Sequence, residues 1–221
     1  VLEAAASGIR SQYGVDVHTS VADVMREADV HRWVSEARER FGGCDILVAN
    51  AGGPPASSFE TTSVDQWKEG IELNLLSTIH MCRAVASEMK ERGGGRIVAI
   101  TSISVKQPVK GLILSNTSRA GVAGLMKSLA NELAPYGVTV NVVCPGYTRT
   151  DRLQELASRL SSAEQVPEET VYQRWTEQIP MGRLGEPEEF ASVVTFLCSE
   201  RASYVTGTCL QIDGGTVQGL L

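Results

Sequence analysis

Two periods of hydrophobic and polar positions succeed one another along the chain. Residues 15–22 (VDVHTSVA) alternate residue by residue, which predicts a strand. Residues 27–41 carry Val30, Val34 and Ala37 at helical spacing and stop at Gly42-Gly43. An apolar run released into glycines, DILVANAGG at 45–53, predicts a buried strand, followed by a Pro/Ser-rich loop at 54–62. Ser63 and Gln66 have capping-box spacing and open a long helix. Its apolar stripe runs through Trp67, Ile71, Leu75, Ile79, Cys82, Val85 and Met89 to Gly93-Gly94-Gly95.

The second half repeats the scheme. RIVAIT (96–101) predicts a strand, residues 118–134 a helix stopped by Pro135 and Gly137, and VTVNVVC (138–144) a strand broken by Pro145-Gly146. Residues 150–180 are polar and partly helical, which predicts a mobile insertion. Pro187 suits the first turn of a helix running to Leu197. TCLQI (208–212) predicts a last strand before Asp213-Gly214-Gly215. Strands alternating with helices imply an α/β fold, a Rossmann-type doubly wound parallel sheet covered on both faces. With no repeat and no dividing linker, residues 1–221 read as a single domain, with 150–180 its variable segment.

Composition narrows the classes. Hydrophobic residues make up 43% and charged residues 21% of the 221, a globular balance. No apolar run reaches the roughly 18 residues of a membrane span. The excess of 26 acidic over 20 basic residues argues against a nucleic-acid partner. Five scattered cysteines without a C-x-x-C pattern read as buried thiols in a reducing compartment. The N-terminal VLEAAASGIRSQYG has no signal-peptide character and reads as the end of a helix, so a cytoplasmic location is expected.

Ligands of such sheets bind beyond the carboxyl ends of the strands. Three predicted strands end there in small or turn-forming residues: Asn50-Ala51-Gly52-Gly53, Thr101-Ser102 and Pro145-Gly146. A tight turn explains any one of them alone; three in register point to a ligand. Asn74 puts a polar amide on an apolar helix stripe, where it needs partners. Ser115 and Arg119, four apart at a helix start, share a face, which an exposed surface would also explain. The three histidines lack metal-ligand spacing, and neither a G-x-S-x-G elbow nor a Walker loop occurs.

Together these segments resemble the short-chain dehydrogenase/reductase family, in its ketoacyl-carrier-protein-reductase-like branch. The resemblance is carried by NAG at 50–52, Asn74, Ser102, ELAPYGVTVNVVCPG at 132–146 followed by Thr150, and TGTCLQIDGG at 206–215. It implies a seven-stranded parallel sheet, NAD or NADP as cofactor, a small carbonyl or alcohol substrate, and a homo-oligomer, dimer or tetramer, built on the two longest helices. It further implies that Asn74 holds a structural water and that Ser102 polarises the substrate oxygen. Asp23, Asn50, Ala51, Gly52, Pro145, Gly146, Thr148 and Thr150 are the positions it assigns to the cofactor.

Two departures from the family matter. Its opening strand, Gly-rich T-G-x-x-x-G-x-G turn, helix and second strand have no counterpart here, so the chain is expected to lack roughly 40 residues of a β-α-β unit. The residue that selects NAD or NADP lies in that unit. Counting 13 and 17 residues from Ser102, Ser115 and Arg119 stand where the family has its catalytic tyrosine and lysine. An alkyl hydroxyl is a far weaker acid than a phenol of pKa about 10, and an arginine binds a ribose or phosphate without relaying a proton. Ser115 passing a proton from water, or Tyr147 or Tyr172 moving in, would replace the tyrosine.

The leading reading is thus an oxidoreductase with a variant site, with Asn74, Ser102, Ser115 and Arg119 as its catalytic set and Arg119 on the cofactor ribose. Two others are a non-catalytic dinucleotide- or ligand-binding protein that keeps the fold, and an oligomeric scaffold. The Ser115/Arg119 pair favours the binding protein; Asn74 and Ser102 favour the enzyme.

Overall fold

The computed structural model describes residues 1–220. Helix α1 (Leu2–Tyr13) ends on Gly14, whose left-handed φ of 66° closes it. Helix α2 (Glu27–Phe41) ends the same way on Gly42 and buries Val30 and Val34. Strand β1 (Ile46–Ala49) follows, then α3 (Val64–Ile71), opened by the Ser63/Gln66 capping box that the spacing predicts. After a π-helical turn, Glu72–Leu76, the same helical rod continues as α4 (Ser77–Arg92). The second half holds β2 (Gly95–Ile100), α5 (Ile113–Leu133), β3 (Val138–Pro145), α6 (Asp151–Glu164), α7 (Glu168–Gln178), α8 (Pro187–Cys198) and β4 (Cys209–Ile212).

The four strands form one parallel sheet in the order β1-β2-β3-β4. Parallel pairing demands crossovers, and helices supply them. Both faces of the central strands β2 and β3 are therefore covered, whereas Ile46 and Val48 leave one face of β1 exposed. One face packs Leu47, Ile97, Val140 and Val142 against Val30, Met81, Val85, Val122 and Met126 of α2, α4 and α5. The other packs Val98 and Val143 against Leu197 and the apolar side of α8. Buried Asn141 fixes the last strand: its amide donates to Val205 O at 2.8 Å and accepts from Thr208 N at 3.2 Å. No helix among the described residues is long and apolar enough to cross a membrane.

Four expectations change. The sheet has four described strands, not seven. Residues 15–22 form no strand; no neighbouring strand lies beside them, and arginine side chains serve their carbonyls instead, Arg10 at Val17 O and Arg32 at Val21 O. The stripe read along α3 and α4 also shifts. Cys82, Val85 and Met89 are buried as expected, but Ile71 stays 37% exposed, and the extra residue of the π turn that follows it brings Asn74, Ser77 and Thr78 into the buried face. Finally, residues 150–180 form two helices around an apolar cluster, Leu153, Ala157, Val171, Trp175 and Ile179, which Leu184 from the following loop completes.

Candidate functional site

All four strands point the same way, so their carboxyl ends open on one rim. There the chain leaves β1 at Asn50, β2 at Thr101-Ser102, β3 at Pro145-Gly146 and β4 at Asp213. The first three segments read from the sequence are therefore neighbours in space, as parallel register requires.

The centre of this rim is the carbonyl of Gly52. Asn74 Nδ2 donates to it at 2.8 Å and Arg119 Nη2 at 3.3 Å. Asn74 is buried in the π turn, and its Oδ1 lies 3.0 Å from Ser118 Oγ, so both ends of the amide have protein partners. The extra residue of the π turn is what aims Asn74 inward, a common placement for such bulges at functional sites. The expected water-holding role concerns the N–H that these contacts leave over.

Arg119 lies on the inner face of α5, one turn after Ser115, and both are buried. Its Nε donates to Ser115 Oγ at 3.2 Å, and its Nη1 donates to Ile100 O at 3.3 Å and Thr101 O at 3.0 Å. The guanidinium is thus sewn to the exit of β2 and, through Gly52, to the exit of β1. Burial pulls its pKa down to about 10, opposed by the neighbouring Cys144 thiol and assisted by the like charge of Arg152. Ser115 accepts this bond on an oxygen lone pair and keeps its own O–H proton for another partner.

Ser102 is half-buried and caps the short 3-10 turn Ile103–Val105, its Oγ accepting from Ser104 N at 3.1 Å. Its hydroxyl proton is likewise left for a ligand. Gly146 lets the ends of β3 and β4 close up: a β-carbon there would fall 2.7 Å from Asp213 Cα, and Gly146 N donates to Ile212 O at 3.0 Å.

The remaining positions are less central. Asn50 is exposed at the end of β1, with Ala51 half-buried beside it. Thr148 pairs by an isolated bridge with Gly185, and Thr150 is the N-cap of α6, accepting from Leu153 N at 3.3 Å. Asp23 is exposed on the turn before α2, where Oδ1 accepts from Met25 N at 3.0 Å and Arg26 pairs with its other oxygen at 3.7 Å. No contact joins it to the Gly52 cluster. Tyr147 and Tyr172 both pack on Trp175, the first stacked at 5.3 Å and the second edge-on at 5.5 Å. Burial pushes the Tyr147 phenol up. Between α6 and α7 lies a cavity of about 690 Å³ lined by Thr150, Leu153, Tyr172, Thr176 and Leu184 among others; Ser102, Ser115 and Arg119 do not line it.

Sequence reading missed Arg152. It is exposed in the first turn of α6, and its Nη2 and Nε come within 3.6 and 4.0 Å of where a β-carbon of Gly53 would sit. A first-turn arginine on a polar helix carries no sequence signal that separates it from ordinary surface charge. No group of three or more His, Cys, Asp or Glu among the described residues is placed to hold a metal.

Comparisons with known proteins identify the family and the fold. Residues 2–217 match the family described as enoyl-(acyl carrier protein) reductase. The chain is 38% identical over 213 residues to the 3-oxoacyl-[acyl-carrier-protein] reductase of Aquifex aeolicus, covering 96% of this chain and 82% of that protein. It is 39% identical over 182 residues to the acetoacetyl-CoA reductase of Rhizobium meliloti, covering 82% and 71%. The L-sorbose reductase of Gluconobacter frateurii, solved with NADPH and L-sorbose, superposes with a TM-score of 0.94 at 31% identity over 99% of this chain and 84% of its own. By sequence and by fold, the chain belongs to the short-chain dehydrogenase/reductase family.

Proposed function

We propose that this protein is an NAD(P)-dependent oxidoreductase that interconverts a small carbonyl compound and its alcohol, using a variant proton-donating site. The observation that carries the proposal is the meeting of Asn74, Ser115 and Arg119 through Gly52 at the carboxyl end of the sheet, beside the exit of β2 that leads to Ser102. The solved L-sorbose reductase, with its NADPH, supports the same cofactor class here.

The residues on this rim fit the nicotinamide end of such a cofactor. Arg119 supplies a buried cation with one N–H to spare, and the glycines at 52 and 53 let a ligand approach the backbone. A bound nicotinamide supplies or accepts a hydride at carbon. Arg119 offers its one spare N–H to a ribose hydroxyl, and Asn50, Ala51, Gly52, Pro145, Gly146, Thr148 and Thr150 form the wall around the ring. Ser102 donates its free O–H to the substrate oxygen. Ser115 does the same from the other side, and the guanidinium beside it favours negative charge on its oxygen. Because an alkyl hydroxyl is a weak acid even so, turnover is expected to be slow.

The second reading, a binding protein without turnover, rests on the same Ser115/Arg119 pair. A titration of NADH and NADPH followed by nicotinamide fluorescence separates the two. It is run on this chain and on the chain preceded by a β-α-β unit with a Gly-rich turn, and then repeated with a panel of carbonyl compounds. Binding with measurable oxidation of the reduced nucleotide supports the enzyme; binding without it favours the binding protein. No binding to either form of the chain overturns both nucleotide readings.

A further inference from the structure

Arg119 is a buried cation whose partners are all neutral: the Ser115 hydroxyl and the carbonyls of Gly52, Ile100 and Thr101. No carboxylate pairs with it among the described residues; the Cys144 thiol beside it stays protonated, and the charged neighbour is Arg152. Buried charges in proteins are ordinarily paired, because desolvation without a counter-charge is costly. Of the five guanidinium N–H groups, four are used by these contacts and one on Nη2 is left.

That same Nη2 sits 4.0 Å from the point where a β-carbon of Gly53 would lie. The other two nearest atoms are Nη2 and Nε of Arg152, at 3.6 and 4.0 Å. Arg152 spends Nη1 on Glu155 at 3.4 Å, so the Nε/Nη2 edge, the edge that grips two oxygens at once, is the one beside the glycine. Two like charges have been brought together around a residue with no side chain. Glu155 pairs with Arg152 on its far side only and no carboxylate reaches Arg119, whereas a group with two anionic oxygens would satisfy both guanidinium groups.

We propose that Arg119 and Arg152 form an anion subsite over Gly53 that holds a carboxylate or phosphate group at the reaction centre. This rests on the oxidoreductase reading for its consequence: the substrate is a carbonyl or alcohol compound that itself carries an acid group, unless the anion is a phosphate of the cofactor. Guanidinium forks suit either oxyanion.

The test is calorimetric titration of acetate and of inorganic phosphate into the protein in chloride-free buffer, with and without saturating NADPH. The expected result is binding of at least one anion, weakened about tenfold or more in R152Q, as loss of a charge-assisted fork requires. Arg152 is exposed, so R152Q keeps the fold; R119Q is a second variant, and where it fails to fold R152Q alone decides. Anion binding that persists with NADPH assigns the subsite to the substrate, and displacement by NADPH assigns it to the cofactor, whose ribose or phosphate then takes the same Nη2 N–H. Absence of binding by both anions, or binding unchanged in R152Q, overturns the subsite. Because the readout needs neither nucleotide nor turnover, failure of the oxidoreductase reading would leave this result standing, and the reverse.

Discussion

Asn74 donates its side-chain amide to the carbonyl of Gly52 over 2.8 Å, so the π turn of the long helical rod is tied directly to the exit of β1. The bond lies under Arg119, which donates to the same oxygen, and Asn74 Oδ1 is in turn met by Ser118 of α5. Three elements thus converge on one buried amide. Asn74→Ala removes both contacts and leaves the polar wall without a lining. The expected cost is about 1–3 kcal/mol, read as a lower urea midpoint. An unchanged midpoint would show that the amide is not needed to hold these elements together.

A second expectation concerns Gly146. Its φ lies outside the left-handed region; what demands glycine is space, since an added β-carbon would meet Asp213 Cα at 2.7 Å and Cβ at 2.8 Å. The clash is with backbone, which cannot swing aside as a long side chain would. Gly146→Ala should therefore part the ends of β3 and β4 at a cost of roughly 1–3 kcal/mol. Thermal unfolding is the check, and a melting temperature equal to that of the unmodified chain would refute the close approach.

How far the sequence carried this picture depended on the range of the forces involved. The Ser63/Gln66 box, the Pro187 start of α8 and the Gly42 stop of α2 are local, and each is legible from a few adjacent residues. Alternation at 15–22 is local too, but a strand needs a partner, and none lies beside it. The stripe along α3 and α4 assumed one helical period, which the π turn breaks. At the site, Asn74 betrayed itself as an amide among apolar residues. Arg152 did not, because its role depends on where α6 brings it, beside Gly53, about a hundred residues earlier in the chain.

The thiols of Cys144 and Cys209 lie 3.3 Å apart between β3 and β4, with Thr101 Oγ1 3.2 Å from Cys144. Either thiol can donate while both are protonated; Cys209 ionises first, its pKa lowered because the S–H of Cys144 donates to the thiolate, and that same bond together with burial raises the pKa of Cys144. Donation stabilises the Cys209 thiolate, so its alkylation should set in at lower pH than for a free thiol, while buried Cys82, pushed up to about 12, stays unreactive. Iodoacetamide labelling followed by peptide mass spectrometry across pH 6 to 10, on the order of the usual thiol range, reads this directly. In Cys144→Ala the donor is lost and the onset for Cys209 should move to higher pH. An onset that does not move would mean that the two thiols do not share a proton.

The final expectation returns to Ser115 and Arg119, which the sequence reading puts in the places of the family's tyrosine and lysine. Arg119 Nε–H serves Ser115 Oγ at 3.2 Å, so cation and hydroxyl already stand in the relation that activates a proton donor; what is missing is a sufficiently acidic donor. A phenol near pKa 10 supplies one, and general acid catalysis of this kind is worth about 10²–10⁴-fold. Ser115→Tyr alone should recover part of that, since Arg119 still favours the phenolate. Arg119→Lys alone should recover none, because the hydroxyl is unchanged. The double variant should gain most, since a lysine's flexible ammonium leaves more room beside the larger ring than the planar guanidinium does. Initial rates of NADPH and NADH oxidation over a panel of carbonyl compounds, some bearing a carboxylate, measure the series. Should the double variant bind nucleotide as the parent does yet gain no rate on any compound, Ser115 is not the proton donor's position, and the non-catalytic reading takes over.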